Sequence, residues 1–273
     1  MSKNTNPTNN FNNAANKQNK SWKEILANNL TAPTPINAKK SKALAGQMQE
    51  MSDINAKSDG QQQLLDMFKT PSKSMFLIDG SAGTGKTFIP LFKGLEMLKK
   101  QKIEGLFICH PGIETGQSIG LLPGTAEEKL APFFANIYNN LCTLQDKSWV
   151  NNALDSNIIQ FLSLQHMRGH TFHNVFAFLD EAQNATKEQI DMISTRAGED
   201  TTICLSGDSQ SQVDTRQTEQ NYFGQLVKFI NEDKSNNDLI GTYQFTPEDV
   251  VRSPIAKRMA QIQEKMKKQP TSP

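Results

Sequence analysis

Cysteine is scarce: the 273-residue chain has three, Cys109, Cys142 and Cys204. They are widely separated and odd in number, which excludes a disulfide framework and the paired spacing of a structural zinc site. Cys109 and Cys204 fall in apolar runs, as buried small hydrophobes do. Histidine is nearly as rare. His166, His170 and His173 cluster loosely, but their stretch offers no Cys or acid to complete a metal set, and His110 stands apart. No apolar run is long enough to span a bilayer, and the Asn-rich first twenty residues contain no signal-peptide core, so the expected setting is cytoplasmic, with no membrane partner. Overall basicity is missing too. The net charge is +1, and no basic stripe interleaved with aromatics offers stacking platforms for bases.

The near-neutral total conceals segregation. Residues 1–60 carry eight lysines against four acids, and residues 252–273 carry six Lys or Arg against Glu264 alone. The stretch between them is strongly acidic. Basic ends on an acidic core could hold RNA or DNA, and equally could serve only solubility. Residues 1–56 read as a disordered, Asn-rich basic tail that cannot bury enough apolar surface to offset the entropy of ordering. One island interrupts it: Ser21 can cap a turn carrying Trp22, Ile25 and Leu26 at helical spacing.

What is present begins at residue 80. Gly80-Ser81-Ala82-Gly83-Thr84-Gly85-Lys86-Thr87 is a complete phosphate-binding loop, set between the apolar run Met75–Ile78 and a plausible helix. Its glycines let successive N–H groups turn inward toward phosphate oxygens, and the helix start adds a field favourable to anions. Lys86 would reach the β- and γ-phosphates, and the Thr87 hydroxyl would ligate Mg²⁺.

The continuous apolar run Val175–Leu179 reads as a strand buried on both faces, and it ends in Asp180-Glu181. At that strand end Asp180 can hold the metal through a water, while Glu181 is the candidate base for a lytic water. A third run, Thr202–Ser206, leads into Gly207-Asp208-Ser209-Gln210-Ser211-Gln212. There Asp208, Gln210 and Gln212 are candidates to sense a γ-phosphate.

Taken with these segments, His110-Pro111-Gly112-Ile113-Glu114-Thr115-Gly116, Leu121-Leu122-Pro123-Gly124, Met167-Arg168-Gly169, Asp180-Glu181-Ala182-Gln183-Asn184, Gly207-Asp208 and Asp249-Val250-Val251-Arg252-Ser253-Pro254 make the chain resemble the PhoH-like proteins over residues 57–258. These are ATPases related to the core of superfamily 1 helicases, and the short Asn-rich chain would suit a phage-encoded member. The resemblance implies a RecA-like P-loop fold, ATP and Mg²⁺ as cofactors, a homo-oligomeric and hexameric ring, and a link to single-stranded RNA or DNA. It also implies that Gln183 couples hydrolysis to movement, and that Gln61, within Gln61-Gln62-Gln63, reads adenine. Arg252 would stabilise the transferring phosphoryl group, within the chain or in a neighbour. The chain departs from the family pattern where His110 and His170 replace arginines, giving weaker and pH-sensitive phosphate contacts. A second departure is the sensor segment, where the expected Gln position is Ser211. A one-residue insertion would make Gln212 equivalent, and the register stays open.

The pattern predicts strands over 73–79, 105–110, 158–162, 174–179, 202–206 and 241–245. Helices are predicted over 87–100, 125–144, 186–197, 219–231 and 254–268. Alternation of this kind gives an α/β domain with a mostly parallel sheet over 57–252 and a closing helix with basic tail over 253–273. In that last helix Ile255, Met259, Ile262 and Met266 form a stripe expected to pack inward, or to serve as a ring interface. The function expected is Mg²⁺-dependent ATP hydrolysis coupled to RNA or DNA. The competing expectation is a nucleotide-gated assembly with little turnover.

Overall fold

Strands buried on both faces need no polar alternation, and the apolar runs of this chain become six parallel strands in the order β3-β2-β4-β5-β1-β6. They are β1 (Met75–Asp79), β2 (Gly105–His110), β3 (Ile159–Ser163), β4 (Val175–Leu179), β5 (Thr202–Gly207) and β6 (Ile240–Gln244). The computed structural model describes residues 32–51, 54–111, 126–210, 221–233 and 238–268. Every strand pairing among them is parallel. Eight α-helices accompany the sheet among these residues: α1 (Ala38–Gly46), α2 (Asp59–Met67), α3 (Phe88–Lys99), α4 (Ala126–Leu144), α5 (Lys147–Asp155), α6 (Lys187–Ser194), α7 (Tyr222–Glu232) and α8 (Pro254–Lys268). No helix among them is long and apolar enough to cross a membrane.

Each strand sends alternate side chains into two cores. Phe76, Ile78, Ile108, Phe176, Phe178 and Cys204 meet the helices α1 to α5 on one face. Leu77, Cys109, Leu179 and Leu205 meet α6 and α7 on the other. Six strands and five helices lie close to their predicted bounds, and β2 and α8 match theirs residue for residue.

Two expectations are corrected. Composition assigned residues 1–56 to a tail without structure, yet residues 38–46 form α1, docked on the core. The Asn37 side chain accepts from Lys40 N at 3.1 Å and caps the helix. Leu44 and Ala45 are buried, and the Trp149 indole N–H donates to the Leu44 carbonyl at 3.0 Å. Thr34 and Gln160 exchange two bonds of 2.8 Å. Two apolar side chains suffice here because they join an existing core, and tertiary packing rather than propensity makes the helix. The island at Trp22 lies outside the described residues.

The second correction concerns α8. Its stripe does not pack inward: Ile255 and Met266 are each 68% exposed and Met259 is 46% exposed. The helix is held instead by its polar side, against the turn at 247–249. Lys257 Nζ donates to the Glu248 carbonyl at 2.6 Å, and Gln261 Nε2 to Glu248 Oε1 at 2.7 Å.

Candidate nucleotide site

The phosphate loop leaves β1 at Gly80, whose N–H donates to the Gly207 carbonyl at the end of β5. Gly83 and Gly85 adopt φ of +89° and +98°, left-handed conformations that residues with a Cβ rarely adopt. Thr84 is fully buried, with its hydroxyl donating to the Ser81 carbonyl at 3.0 Å. Ser81 and Ala82 lie on the turn between them. Lys86 is buried at the base of the loop, and Thr87 precedes the first residue of α3.

Asp180 follows β4 and stands opposite. Thr87 Oγ1 donates to its two carboxylate oxygens at 3.2 and 3.0 Å, and Ser206 Oγ donates to Oδ1 at 2.6 Å. Burial pushes the Asp180 carboxyl above the usual carboxylate range, with the charge of Glu181 adding to the effect and Ser206, Lys86 and Thr87 opposing it. Thr87 and Asp180 form a pair of hard oxygen donors, which fits Mg²⁺ better than a softer metal. No group of three or more His, Cys, Asp or Glu that could hold a metal occurs among the described residues.

Glu181 has a left-handed backbone, φ +54°, and is half-buried. Gln183 Nε2 donates to Glu181 Oε2 at 2.5 Å, and Gln183 Oε1 accepts from Asp208 N at 3.0 Å. One buried amide therefore ties the acid after β4 to the turn after β5. Asp208 in turn accepts from Gln210 N at 3.0 Å, while Gln212 lies outside the described residues.

Gln61 sits on α2 against the loop. Its Nε2 donates to the Thr84 carbonyl at 2.9 Å and its Oε1 accepts from Lys57 N at 2.8 Å, so its amide is committed to backbone partners. Arg252 is exposed. Its Cβ lies where a Cβ on Gly83 would meet it at 3.0 Å, and Val251 N donates to the Gly83 carbonyl. His110 closes β2, buried and stacked on Phe133 at 4.4 Å; burial lowers its affinity for a proton. His170 is half-buried in the turn after Met167. The segments 112–116 and 121–124 lie outside the described residues.

Sequence reasoning missed Asp79. It ends β1 and accepts from Ser209 N at 2.8 Å, Ser209 Oγ at 2.5 Å and Gln244 Nε2 at 3.0 Å. The signal was its place at the end of an apolar strand, directly before Gly80. A cleft of about 440 Å³ opens beside it, lined by Asp79, Gly80, Ser81, Asp208, Gln244 and Glu264 among others.

A parallel sheet, a left-handed glycine loop and a carboxylate bonded to the loop threonine together define a P-loop nucleotide-binding protein. The family model for PhoH-like protein matches residues 53–264, and the chain belongs to that family. It is 29% identical to Protein PhoH of Escherichia coli K12 over 244 residues, which is 89% of this chain and 67% of that protein. To the PhoH-like protein of Bacillus subtilis it is 30% identical over 186 residues, 68% of this chain and 57% of that protein. To the PhoH-like protein of Mycobacterium leprae it is 36% identical over 129 residues, 47% of this chain and only 37% of that protein.

Proposed function

We propose that the chain is a Mg²⁺-dependent ATPase that works in the cytoplasm as an oligomeric ring and couples hydrolysis to single-stranded RNA or DNA. The observation that carries the ATPase reading is the Thr87–Asp180–Ser206 cluster at the mouth of the phosphate loop, with Glu181 beside it. In this reading Lys86 and the loop amides neutralise the phosphates, Glu181 polarises the lytic water and Arg252 stabilises the transferring group. Thr87 and Asp180 would hold Mg²⁺, which would supply charge neutralisation for the phosphates. Gln61 braces the loop through Thr84, and adenine reading by it requires that brace to be exchanged. The nucleic-acid part rests on the basic ends and the ring on the exposed stripe of α8.

The test is steady-state ATP hydrolysis with and without single-stranded RNA, with Glu181→Gln as the blank. Turnover that Glu181→Gln abolishes while ATP still binds is expected, rising several-fold with RNA. Wild-type turnover in that variant would remove the assigned base, and indifference to RNA would remove the nucleic-acid coupling.

A second reading, a nucleotide-gated assembly with little turnover, is favoured by one feature. The Glu181 carboxylate is already engaged by Gln183. Tight ATP binding without hydrolysis in either condition selects it.

A further inference from the structure

Across the sheet, Cys109 pairs with Leu179 and Leu179 with Leu205. One step further toward the carboxyl ends, His110, Asp180 and Ser206 stand abreast on neighbouring strands, and in-register parallel strands present such residues on one face. The contacts agree. Asp180 is bonded to Thr87 at the start of α3, and His110 packs on Phe133 and Phe134 of α4 at 4.4 and 6.2 Å. Both helices cover the same face.

His110 is 5% exposed. Its Nδ1 lies 2.8 Å from the Pro111 carbonyl, which only accepts, so Nδ1 carries the ring hydrogen and Nε2 is left as a bare acceptor. Nε2 is buried and has no hydrogen-bond partner among the described residues, unlike the great majority of buried polar atoms. A carboxylate cannot satisfy it, because neither group would hold a proton for the other. The carboxylate whose charge reaches the ring is that of Glu181. A bare buried acceptor on the strand end beside Asp180, with the Glu181 carboxylate next in the chain, calls for a donor with two hydrogens, and water is the smallest such donor.

We propose that His110 is a positioning residue for hydrolysis: its Nε2 and the Glu181 carboxylate each accept one hydrogen of the attacking water. This rests on the ATPase reading above. With both hydrogens held, an oxygen lone pair is left to face the γ-phosphorus beside Asp180. The water oxygen forms a bond to that phosphorus as the bond from phosphorus to the β,γ-bridging oxygen breaks. The electron pair leaves with ADP, and the water proton passes to Glu181 and thence to solvent. His110 keeps its one hydrogen on Nδ1 throughout and only accepts.

The experiment uses the full-length chain and measures kcat, KM and ATP affinity for wild type, Glu181→Gln, His110→Phe, His110→Gln and His110→Asn. Phenylalanine preserves the stack on Phe133 and removes the acceptor. Glutamine can return an amide oxygen near the Nε2 position, and asparagine reaches only the Nδ1 position. The expected result is a kcat lowered roughly 10- to 100-fold in the Phe and Asn variants, with ATP affinity held within about 2-fold and most turnover restored by Gln. His110→Phe/Glu181→Gln should be no slower than Glu181→Gln alone, since both lose the same water. If His110→Phe does not fold, the contrast between Gln and Asn carries the test. Wild-type kcat in the Phe or Asn variant overturns the proposal, as does an equal loss of kcat and ATP affinity that Gln does not restore. Absence of any Glu181-dependent turnover in the wild type overturns the ATPase reading itself, and the water assignment with it.

Discussion

Gln183 holds Glu181 and Asp208 at once, donating to the carboxylate of the first at 2.5 Å and accepting from the N–H of the second at 3.0 Å. A displacement of the turn after β5 therefore pulls on the assigned base through a single side chain. Gln183→Leu keeps the volume and removes both bonds. We expect ATP affinity within about 2-fold of wild type, with stimulation by RNA abolished, because positioning lost at a distance costs turnover before binding. The half-buried Asp208 N–H is left without its side-chain acceptor, so stability should fall by about 1 kcal/mol. Kinetics with and without RNA, and thermal unfolding, check both parts. Unchanged RNA stimulation would remove Gln183 from the coupling.

Asp180 is expected to show function and stability in opposition. Its carboxyl is buried, and burial disfavours the ionised form in the protein without nucleotide or metal. Asp180→Asn removes that burden, while its amide oxygen can still accept from Ser206 and its NH₂ can donate to Thr87. The variant should unfold a few degrees higher than wild type, from a gain of about 1 kcal/mol, and lose Mg²⁺-dependent turnover. A lower melting temperature would show that the carboxylate is a net stabiliser as it stands.

Asp249 ties the start of α2 to the turn before α8. It accepts from Gly60 N at 3.1 Å and from Thr246 N and Oγ1, each at 2.9 Å. Burial works against its charge, but the bonds from Thr246, Ser58 and Gly60 outweigh it and hold the carboxyl below the usual range. The folded protein thus binds this proton less readily than the unfolded chain. The stabilisation is fully present above the ordinary carboxylate value, near 4, and is lost as pH falls through the lower folded value. Asp249→Asn should cost about 1–3 kcal/mol at pH 7, and the gap to wild type should narrow as pH falls below the ordinary carboxylate value. Gly60→Ala should cost a similar amount, since a Cβ there would lie 2.4 Å from Asp249 Oδ1. Unfolding measured across pH decides it, and a gap that persists in acid would assign the loss to packing.

These relationships also explain what the sequence could and could not reveal. The sheet was legible because strands buried on both faces are continuous apolar runs, and the loop was legible because phosphate binding needs glycines at fixed spacing. Helix α5 carries Trp149, Val150, Ala153 and Leu154 in a helical pattern and went unassigned, its nine residues being too short to stand out. Little local announces α1 beyond its Asn37 cap, and its partners Glu104 and Trp149 are remote in sequence. Asp79 resembles any strand-ending turn residue until the fold brings Ser209 and Gln244 to it. The α8 stripe shows the converse error. Periodicity marks an apolar face without saying what, if anything, that chain lays against it.

Arg252 gives the sharpest question about assembly, since it could serve its own site or a neighbour's. Val251 N donates to the Gly83 carbonyl at 3.0 Å, and the Arg252 Cβ lies over Gly83, so the residue is anchored to the phosphate loop of its own chain. On our proposal the exposed side chain turns onto a γ-phosphate in that loop, and no second subunit is then needed. Arg252→Ala should therefore lower kcat by about 10³-fold with ATP affinity nearly unchanged. Mixed with Lys86→Ala, which should lose both ATP affinity and turnover, it should recover nothing, because each subunit would lack one part of its own site. The check is turnover of the mixture against each variant alone, after conditions that exchange subunits. Recovery on mixing would place Arg252 in the neighbour's site and make a ring necessary for catalysis; its absence would leave the α8 stripe as an assembly feature separate from the chemistry.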